Sequence, residues 1–157
     1  CVGKGLCRCL APSLSQSCAI PQPNFFFQPM DIESVRDFCL SLPRVEEYFP
    51  FDETTLAFRV EGRIFAMIDL DDTQWFVLKC QPEYALWLRD RYSAITGAWH
   101  MNKRHWNQLD LQGHLSDNLV RHLIRHSYTE VVRKLPRAVK QACPEVLQVN
   151  EAPVEMA

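Results

Sequence analysis

Three short strands in succession, between residues 55 and 80, are the sequence feature that most limits the fold. The first, over about residues 55–60, alternates large apolar residues with smaller or charged ones. A tight turn at Glu61-Gly62 leads to a second strand over about residues 63–70, and residues 71–73 turn the chain into a third strand. Strands joined by turns this short pair antiparallel, so we expect an antiparallel meander at the centre of the fold.

The sequence on both sides of this meander predicts helices. Asp31 and Ser116 are good N-caps, Pro82 suits the first turn of a helix, and Pro43 and Pro136 end helical patterns. Besides the three strands of the meander, we predict helices over about residues 32–42, 82–92 and 116–135 and a fourth strand over about residues 106–111. The resulting order, α-β-β-β-α-β-α, predicts an α+β fold with helices packed on one face of an antiparallel sheet.

The chain of 157 residues has the length of one domain, but its ends differ in composition from its centre. Residues 1–29 contain four prolines and no periodic apolar pattern, so we interpret them as a disordered or non-native leader that precedes Met30. We expect the folded domain over residues 30–140 and a flexible tail over residues 141–157. Open alternatives for the leader are a metal site at Cys7-Arg8-Cys9, a lipid on Cys1, and docking of residues 25–27 on the domain.

Composition excludes several classes of protein. No apolar run approaches the roughly 20 residues that cross a bilayer, so we expect no membrane segment. Cys39, Cys80 and Cys143 show no CxxC spacing, which argues against a disulfide scaffold and a zinc site. The sequence therefore predicts a reduced, cytoplasmic protein.

Charge is distributed unevenly along a chain whose formal net charge is only -2. Residues 30–99 contain seven Lys or Arg and thirteen Asp or Glu, whereas residues 100–140 contain eight and three. All five histidines also lie in the second segment. If the fold keeps these segments apart, one face of the protein is basic; if it interleaves them, the asymmetry disappears.

The segment from His100 to Asn107 combines two histidines, two amides, two cations and a tryptophan, which no ordinary helix or strand needs. It is either a polar loop held by Trp106 or a recognition surface. In the recognition hypothesis, cations contact phosphates, amides read base edges, and a tryptophan stacks on an unpaired base. The candidate DNA-binding residues are Lys79, His100, Asn102, Lys103, Arg104, His105, Asn107, Arg121 and Arg125. The simpler interpretation makes Trp106 a core anchor in phase with Leu109 and Leu111.

The sequence contains no motif for catalysis or for a cofactor. It has no GxSxG elbow, no P-loop and no GxGxxG segment. His122 and His126 have a spacing that can bind metal, but the residue after the first is Leu123, not the Glu of a metalloprotease. We therefore predict a non-enzymatic protein with no cofactor and no metal.

An ordered set of motifs resembles the MmcQ/YjbR family over about residues 30–137. The matching segments are Cys39 to Pro43, Glu46-Glu47, Phe49-Pro50-Phe51, Leu78-Lys79-Cys80, Pro82-Glu83, His100 to Asn107, Ser127-Tyr128 and Lys134-Leu135-Pro136. The resemblance implies a small cytosolic bacterial protein with a fold like CyaY, the bacterial frataxin. It also implies DNA binding through a double-wing motif, and it supplies no catalytic residues.

We thus predict a monomeric domain that binds DNA through a basic and polar surface centred on residues 100–107. The alternative is a module for a small anionic ligand or a protein partner. In that alternative the same polar residues line a pocket beside Phe49 and Phe51. A basic face would favour DNA, whereas convergence of Lys79, Asn102 and His105 in a concavity would favour the small ligand.

Overall fold

The structure, a computed structural model, describes residues 30–149. Its helices are α1 (Ile32–Leu40), α2 (Pro82–Arg91), α3 (Asp117–Arg133) and α4 (Arg137–Ala142), followed by a short 3-10 helix at Pro144–Leu147. Its strands are β1 (Val45–Tyr48), β2 (Thr55–Val60), β3 (Arg63–Asp69), β4 (Trp75–Lys79), β5 (Ile95–Gly97) and β6 (Trp106–Asp110). None of the helices in this part of the chain is long and apolar enough to cross a membrane.

The six strands form one antiparallel sheet in the order β1-β2-β3-β4-β6-β5. Glu61 and Gly62, between β2 and β3, have φ angles of 48° and 78°, as a two-residue type I′ hairpin turn requires. The pairing of β2 with β3 shifts at Phe58/Arg59, which leaves Phe65 as the extra residue of a β-bulge. Because of this bulge, Phe65 and its neighbour Ala66 both join the buried core.

The two faces of the sheet have different surroundings. Phe76, Leu78 and Leu109 alternate with half-buried residues along β4 and β6 and belong to the core beneath the helices. α3 packs across β2, β3 and β4, and α1 and α2 lie beside it. The opposite face presents Val77 and Gln108, which are paired across β4 and β6. Within residues 30–149 no helix covers that opposite face.

Two adjacent residues of α3 fix it to the rest of the fold. Ser127 is fully buried, donates its hydroxyl proton to the Phe65 carbonyl (2.5 Å) and accepts the Lys79 N–H (2.9 Å). The Tyr128 hydroxyl donates to the Pro43 carbonyl at 2.7 Å, and burial raises the pKa of Tyr128. α3 is thus bonded to two strands and to the turn after α1, which sets the height of the helix layer over the sheet.

The predicted fold class is confirmed: helices pack on one face of an antiparallel sheet. The predicted order was incomplete, because β1, β5 and α4 were not expected. β1 contains two glutamates, and each pairs with an arginine outside the strand, Glu46 with Arg59 (2.8 Å) and Glu47 with Arg36 (2.5 Å). These ion pairs let an acidic segment serve as an edge strand although its sequence does not alternate. β5 is only three residues long and has one fully buried anchor, Ile95.

The packed part of the chain also extends beyond the predicted boundary at residue 140. Cys143 is buried, and Val146 of the 3-10 helix has no exposed surface. Two residues of the predicted flexible tail, Cys143 and Val146, therefore belong to the core, and Val149 packs against it. The predicted leader over residues 1–29 and the tail beyond residue 149 lie outside the described residues. The likeness to CyaY stays a prediction.

Candidate nucleic-acid interface

An arginine of α2 holds the polar segment that the sequence singled out. Arg89 donates from Nε to Asn107 Oδ1 at 2.7 Å, and from Nη2 to the carbonyl oxygens of Trp106 (3.2 Å) and Lys103. Asn107 is only 2% exposed, and its amide nitrogen donates to a carbonyl of α2 at 3.4 Å. The prediction that Asn107 reads a base edge is therefore wrong, because the side chain lies in the protein interior. Sequence reasoning also missed Arg89.

Asn102 forms the turn that leads into β6. Its side-chain oxygen accepts the N–H of Arg104 at 3.0 Å, and its carbonyl accepts the N–H groups of His105 (3.0 Å) and Trp106 (3.1 Å). An Asn that closes a turn in this way is common in loops. Asn102 is exposed, but its acceptor is already used within the turn, so only its amide N–H groups face outward.

Five basic residues lie at one end of the sheet, near enough for their charges to act on Lys79 or His105. Arg63 begins β3, Lys79 ends β4, Arg104 and His105 lie before β6, and Lys134 caps the C-terminus of α3. Partial burial, followed by the charges of Lys134 and Arg63, lowers the pKa of Lys79. Partial burial and then the charges of Lys134, Arg104 and Lys79 lower the pKa of His105. We call these five residues the basic cluster.

The basic cluster contains three of the predicted site residues, Lys79, Arg104 and His105. The other two members, Arg63 and Lys134, are far from them in sequence. Lys134 belongs to one of the segments that match the family, but no motif or spacing indicated that either residue is part of a basic surface. One carboxylate, Glu130, opposes the positive charge at Lys79 and His105. Glu130 is itself ion-paired with Arg133 at 2.9 Å, so the cluster keeps an excess of positive charge that phosphate groups could neutralise.

A second feature, which we call the sheet-face cavity, lies on the face of the sheet opposite the helices. It is a concave region of about 630 Å³. Its floor includes Met67, Val77 and Gln108, which lie in one row across β3, β4 and β6. Phe51 and Trp99 also line it, and these two aromatic side chains are 72% and 69% exposed. Exposed aromatic residues beside a concavity are typical of a binding site.

The loop after β5 connects the sheet-face cavity to the basic cluster. His100 lines the cavity, packs edge-to-face on Trp99 at 5.5 Å, and has a φ of 65°, a left-handed conformation uncommon for residues other than glycine. The ammonium of Lys103 lies 5.9 Å from the centre of the Trp99 ring. Lys79 continues β4 two residues beyond Val77, so it lies about 7 Å from the cavity floor on the same face.

The structure does not bring Arg121 and Arg125 to this surface. Both guanidinium groups lie over the ring of Phe38 in α1, 5.4 and 5.2 Å from its centre. They belong to the helix layer, whereas Lys79 and Lys103 lie at the sheet. Including Arg121 and Arg125 in one DNA-binding surface with residues 100–107 was therefore wrong.

The interpretation of Trp106 as a core anchor was also wrong. In β6 the buried residues are Asn107 and Leu109, so Trp106 lies on the open face, paired with Lys79. The Lys79 ammonium is 5.5 Å from the centre of the Trp106 ring, a cation–π contact.

The pocket of the small-ligand alternative is not formed as predicted. Phe51 lines the sheet-face cavity, but Phe49 lines a separate recess beside α1. Neither cavity is lined by Lys79, Asn102 or His105. Convergence of those three residues in a concavity was the observation that would have favoured a small anionic ligand.

The two histidines of α3 pack between α3 and α2. His126 is 1% exposed, and its Nε2 accepts the N–H of Gln81 at the start of α2 (3.3 Å). Both His126 and His122 pack against the buried ring of Tyr84. Within residues 30–149 no three His, Cys, Asp or Glu side chains are grouped as metal ligands would be.

Comparisons with known proteins find one family and several relatives. The family model described as YjbR matches residues 40–130. "Uncharacterized protein YjbR" of Escherichia coli K12 is 32% identical over 108 residues, which cover 68% of this chain and 92% of the relative. "Uncharacterized protein YbdF" of Escherichia coli O157:H7 is 32% identical over 106 residues, 67% of this chain and 87% of the relative.

Two crystal structures share the fold. A Deinococcus radiodurans protein with a DUF419 domain superimposes with a TM-score of 0.72 at 30% identity, covering 81% of this chain and 97% of that one. A Pseudomonas syringae protein superimposes with a TM-score of 0.53 at 25% identity, covering 62% of this chain and 96% of that one. The names of these relatives and structures state no activity.

Proposed function

This chain belongs to the YjbR family, and we propose that it binds DNA, without catalysing a reaction, through the basic cluster and the adjoining loop. The observation that supports this most is the convergence of Arg63, Lys79, Arg104, His105 and Lys134 from four separate elements. Like charges held this close repel one another, and a polyanion relieves that repulsion. Phosphate contacts of this kind supply most of the affinity of non-specific DNA binding.

Lys103 extends the cluster along the loop. It is exposed and lies over Trp99, while its carbonyl is fixed by Arg89. The Arg89 anchor orders the loop before any ligand binds, so little entropy is lost when Lys103 contacts a phosphate.

The state of the cysteine side chains argues against catalysis by a thiol nucleophile. Cys39, Cys80 and Cys143 are buried thiols, and burial raises the pKa of Cys80 to about 12. A thiol with so high a pKa is a poor nucleophile at neutral pH. Three buried cysteines without a disulfide are also typical of a reducing compartment, so we propose that the protein acts in the bacterial cytosol.

The test is a fluorescence-anisotropy titration of the full chain with a labelled duplex and its separated strand, at about 50 and about 200 mM salt. The variant Lys79→Gln/Arg104→Gln removes two charges from the basic cluster. We expect affinity for both DNAs to fall about tenfold or more at low salt, and the salt slope to decrease by about one to two.

The matched control is Arg121→Gln/Arg125→Gln, which removes the same charge from the helix layer. Affinity should stay close to that of the unmodified chain. Equal losses in both double variants would show that only overall charge matters and would contradict the site. No binding by the unmodified chain at the lower salt would refute DNA binding itself.

A further inference from the structure

We propose that the sheet-face cavity binds an unpaired nucleobase, so that the preferred ligand is a single strand whose phosphates lie on the neighbouring cations. This inference rests on the proposed function and assigns its substrate class. It depends on the arrangement of charge around the cavity, on the aromatic side chains that line it, and on the polar groups in its floor.

The cavity is polarised from one end to the other. At one end Lys103 lies over Trp99, and Lys79 continues the strand that contributes Val77 to the floor. At the other end Asp69 and Asp72 line the cavity. A purely apolar peptide would desolvate both kinds of charge without pairing them. A ligand with an anionic group on one side and hydrogen-bond donors on the other pairs both, and a nucleotide has this form.

The aromatic side chains supply surfaces for a flat ring. Phe51 and Trp99 are the most exposed large apolar residues among those described, and both line this one cavity. Every nucleobase has a π-face, and stacking on an aromatic side chain is a main source of affinity in single-strand binding. The same bases in a duplex are already stacked on one another, so they cannot enter the cavity.

Polar groups in the cavity favour bases with an exocyclic amine. The Gln108 side-chain oxygen accepts the Trp99 N–H at 3.0 Å, which leaves the Gln108 amide N–H groups as donors. One Asp69 carboxylate oxygen accepts the N–H of Asp71 at 2.9 Å, and the exposed Asp72 carboxylate is a further acceptor. Carboxylates accept from the amine of cytosine, whereas thymine has no such amine. We therefore expect cytosine to be preferred over thymine.

The conformation of the loop after β5 is consistent with base binding in the sheet-face cavity. His100 holds a left-handed backbone at the cavity wall, and such strain is concentrated at binding sites. Gly97 allows the loop to fold back: a Cβ there would lie 3.2 Å from Cγ of Lys103 and 3.3 Å from the Arg89 guanidinium carbon.

The experiment titrates the full chain with labelled 12-mers of cytosine, of thymine and of abasic sugar-phosphate, with a duplex, and with cytidine monophosphate as competitor. We expect the cytosine strand to bind tightest and the abasic strand to bind as weakly as the duplex. Trp99→Ala should weaken binding of the cytosine strand about 5- to 150-fold, the usual range for one stacking aromatic. It should weaken duplex binding far less, because there only the contact between Trp99 and Lys103 is lost. Asp72→Asn should bring the cytosine-to-thymine affinity ratio towards one.

The control variant is Leu86→Ala, which removes a comparably exposed apolar side chain (64%) from α2. It should change no affinity. If Trp99→Ala matches Leu86→Ala, or if the abasic strand binds as tightly as the cytosine strand, the cavity assignment is overturned while phosphate-driven binding stands. If cytidine monophosphate competes at the same concentration as the cytosine strand, the ligand is a free nucleotide and the strand assignment is overturned. Loss of duplex binding in Lys79→Gln/Arg104→Gln tests only the proposed function of the basic cluster and says nothing about the cavity.

Discussion

Replacing Asn107 with Ala should destabilise the protein strongly, although the residue lies in a segment that looks like an exposed polar loop. The side chain is 2% exposed and accepts a 2.7 Å hydrogen bond from Arg89, a charged donor. Losing a hydrogen bond to a charged group costs about 1.5–3 kcal/mol, and the weaker 3.4 Å bond to α2 adds little. With the space left by the deleted amide, we expect the free energy of unfolding to fall by about 2–4 kcal/mol.

The assay is urea denaturation followed by tryptophan fluorescence, with a double-mutant cycle to isolate the contact. Arg89→Met keeps most of the apolar stem and removes the guanidinium group. If the two side chains act as a pair, the double variant should be less destabilised than the sum of the single variants, by about 1.5–3 kcal/mol. The neighbouring Gln108→Ala, which removes a half-buried side chain and its solvent-exposed hydrogen bond from the Trp99 N–H, serves as the control and should cost less than about 1 kcal/mol.

Two results would refute this reasoning. A loss below about 0.5 kcal/mol for Asn107→Ala would mean that the buried amide is not part of the fold's stability. Additive losses in the cycle would mean that Arg89 and Asn107 do not depend on each other, and the loop would then need another anchor.

Three further outcomes are expected. Ser127→Ala should lower the free energy of unfolding by about 1–3 kcal/mol in urea denaturation, because the Phe65 carbonyl and the Lys79 N–H lose a buried partner; a neutral result would contradict that linkage. The pKa of His105 is lowered in the unbound protein and should rise beside a phosphate, so DNA affinity should increase as the pH falls from about 8 to about 6. His105→Gln should abolish this dependence, and a slope that survives would place the titrating group elsewhere. His100→Gly relieves a left-handed backbone (φ 65°) and should leave the melting temperature unchanged or higher in calorimetry, whereas a loss above about 1 kcal/mol would show that the ring itself is structural.

The strand β6 shows how a signal in the sequence can be misread. Counting back from Leu109 by twos places Asn107 inside and Trp106 outside, and the structure has this arrangement. Side-chain preference argues the opposite, because a tryptophan is more often buried than an amide. Arg89, eighteen positions away, decides between them by giving the buried amide a charged partner. No residue in or beside β6 indicates that Arg89 will be the partner of Asn107.

Alternation, helix caps and turn residues act over a few positions, so the central strands, the helices α1, α2 and α3 and the fold class could be predicted without a structure. The packing of distant segments brings Arg63 and Lys134 near Lys79 and keeps Arg121 and Arg125 in the helix layer. The same packing places Phe51 and Trp99 around one cavity on the open face of the sheet. No sequence pattern predicts these two features, because electrostatic repulsion and concave shape depend on distances through space, which arise only when distant segments pack together.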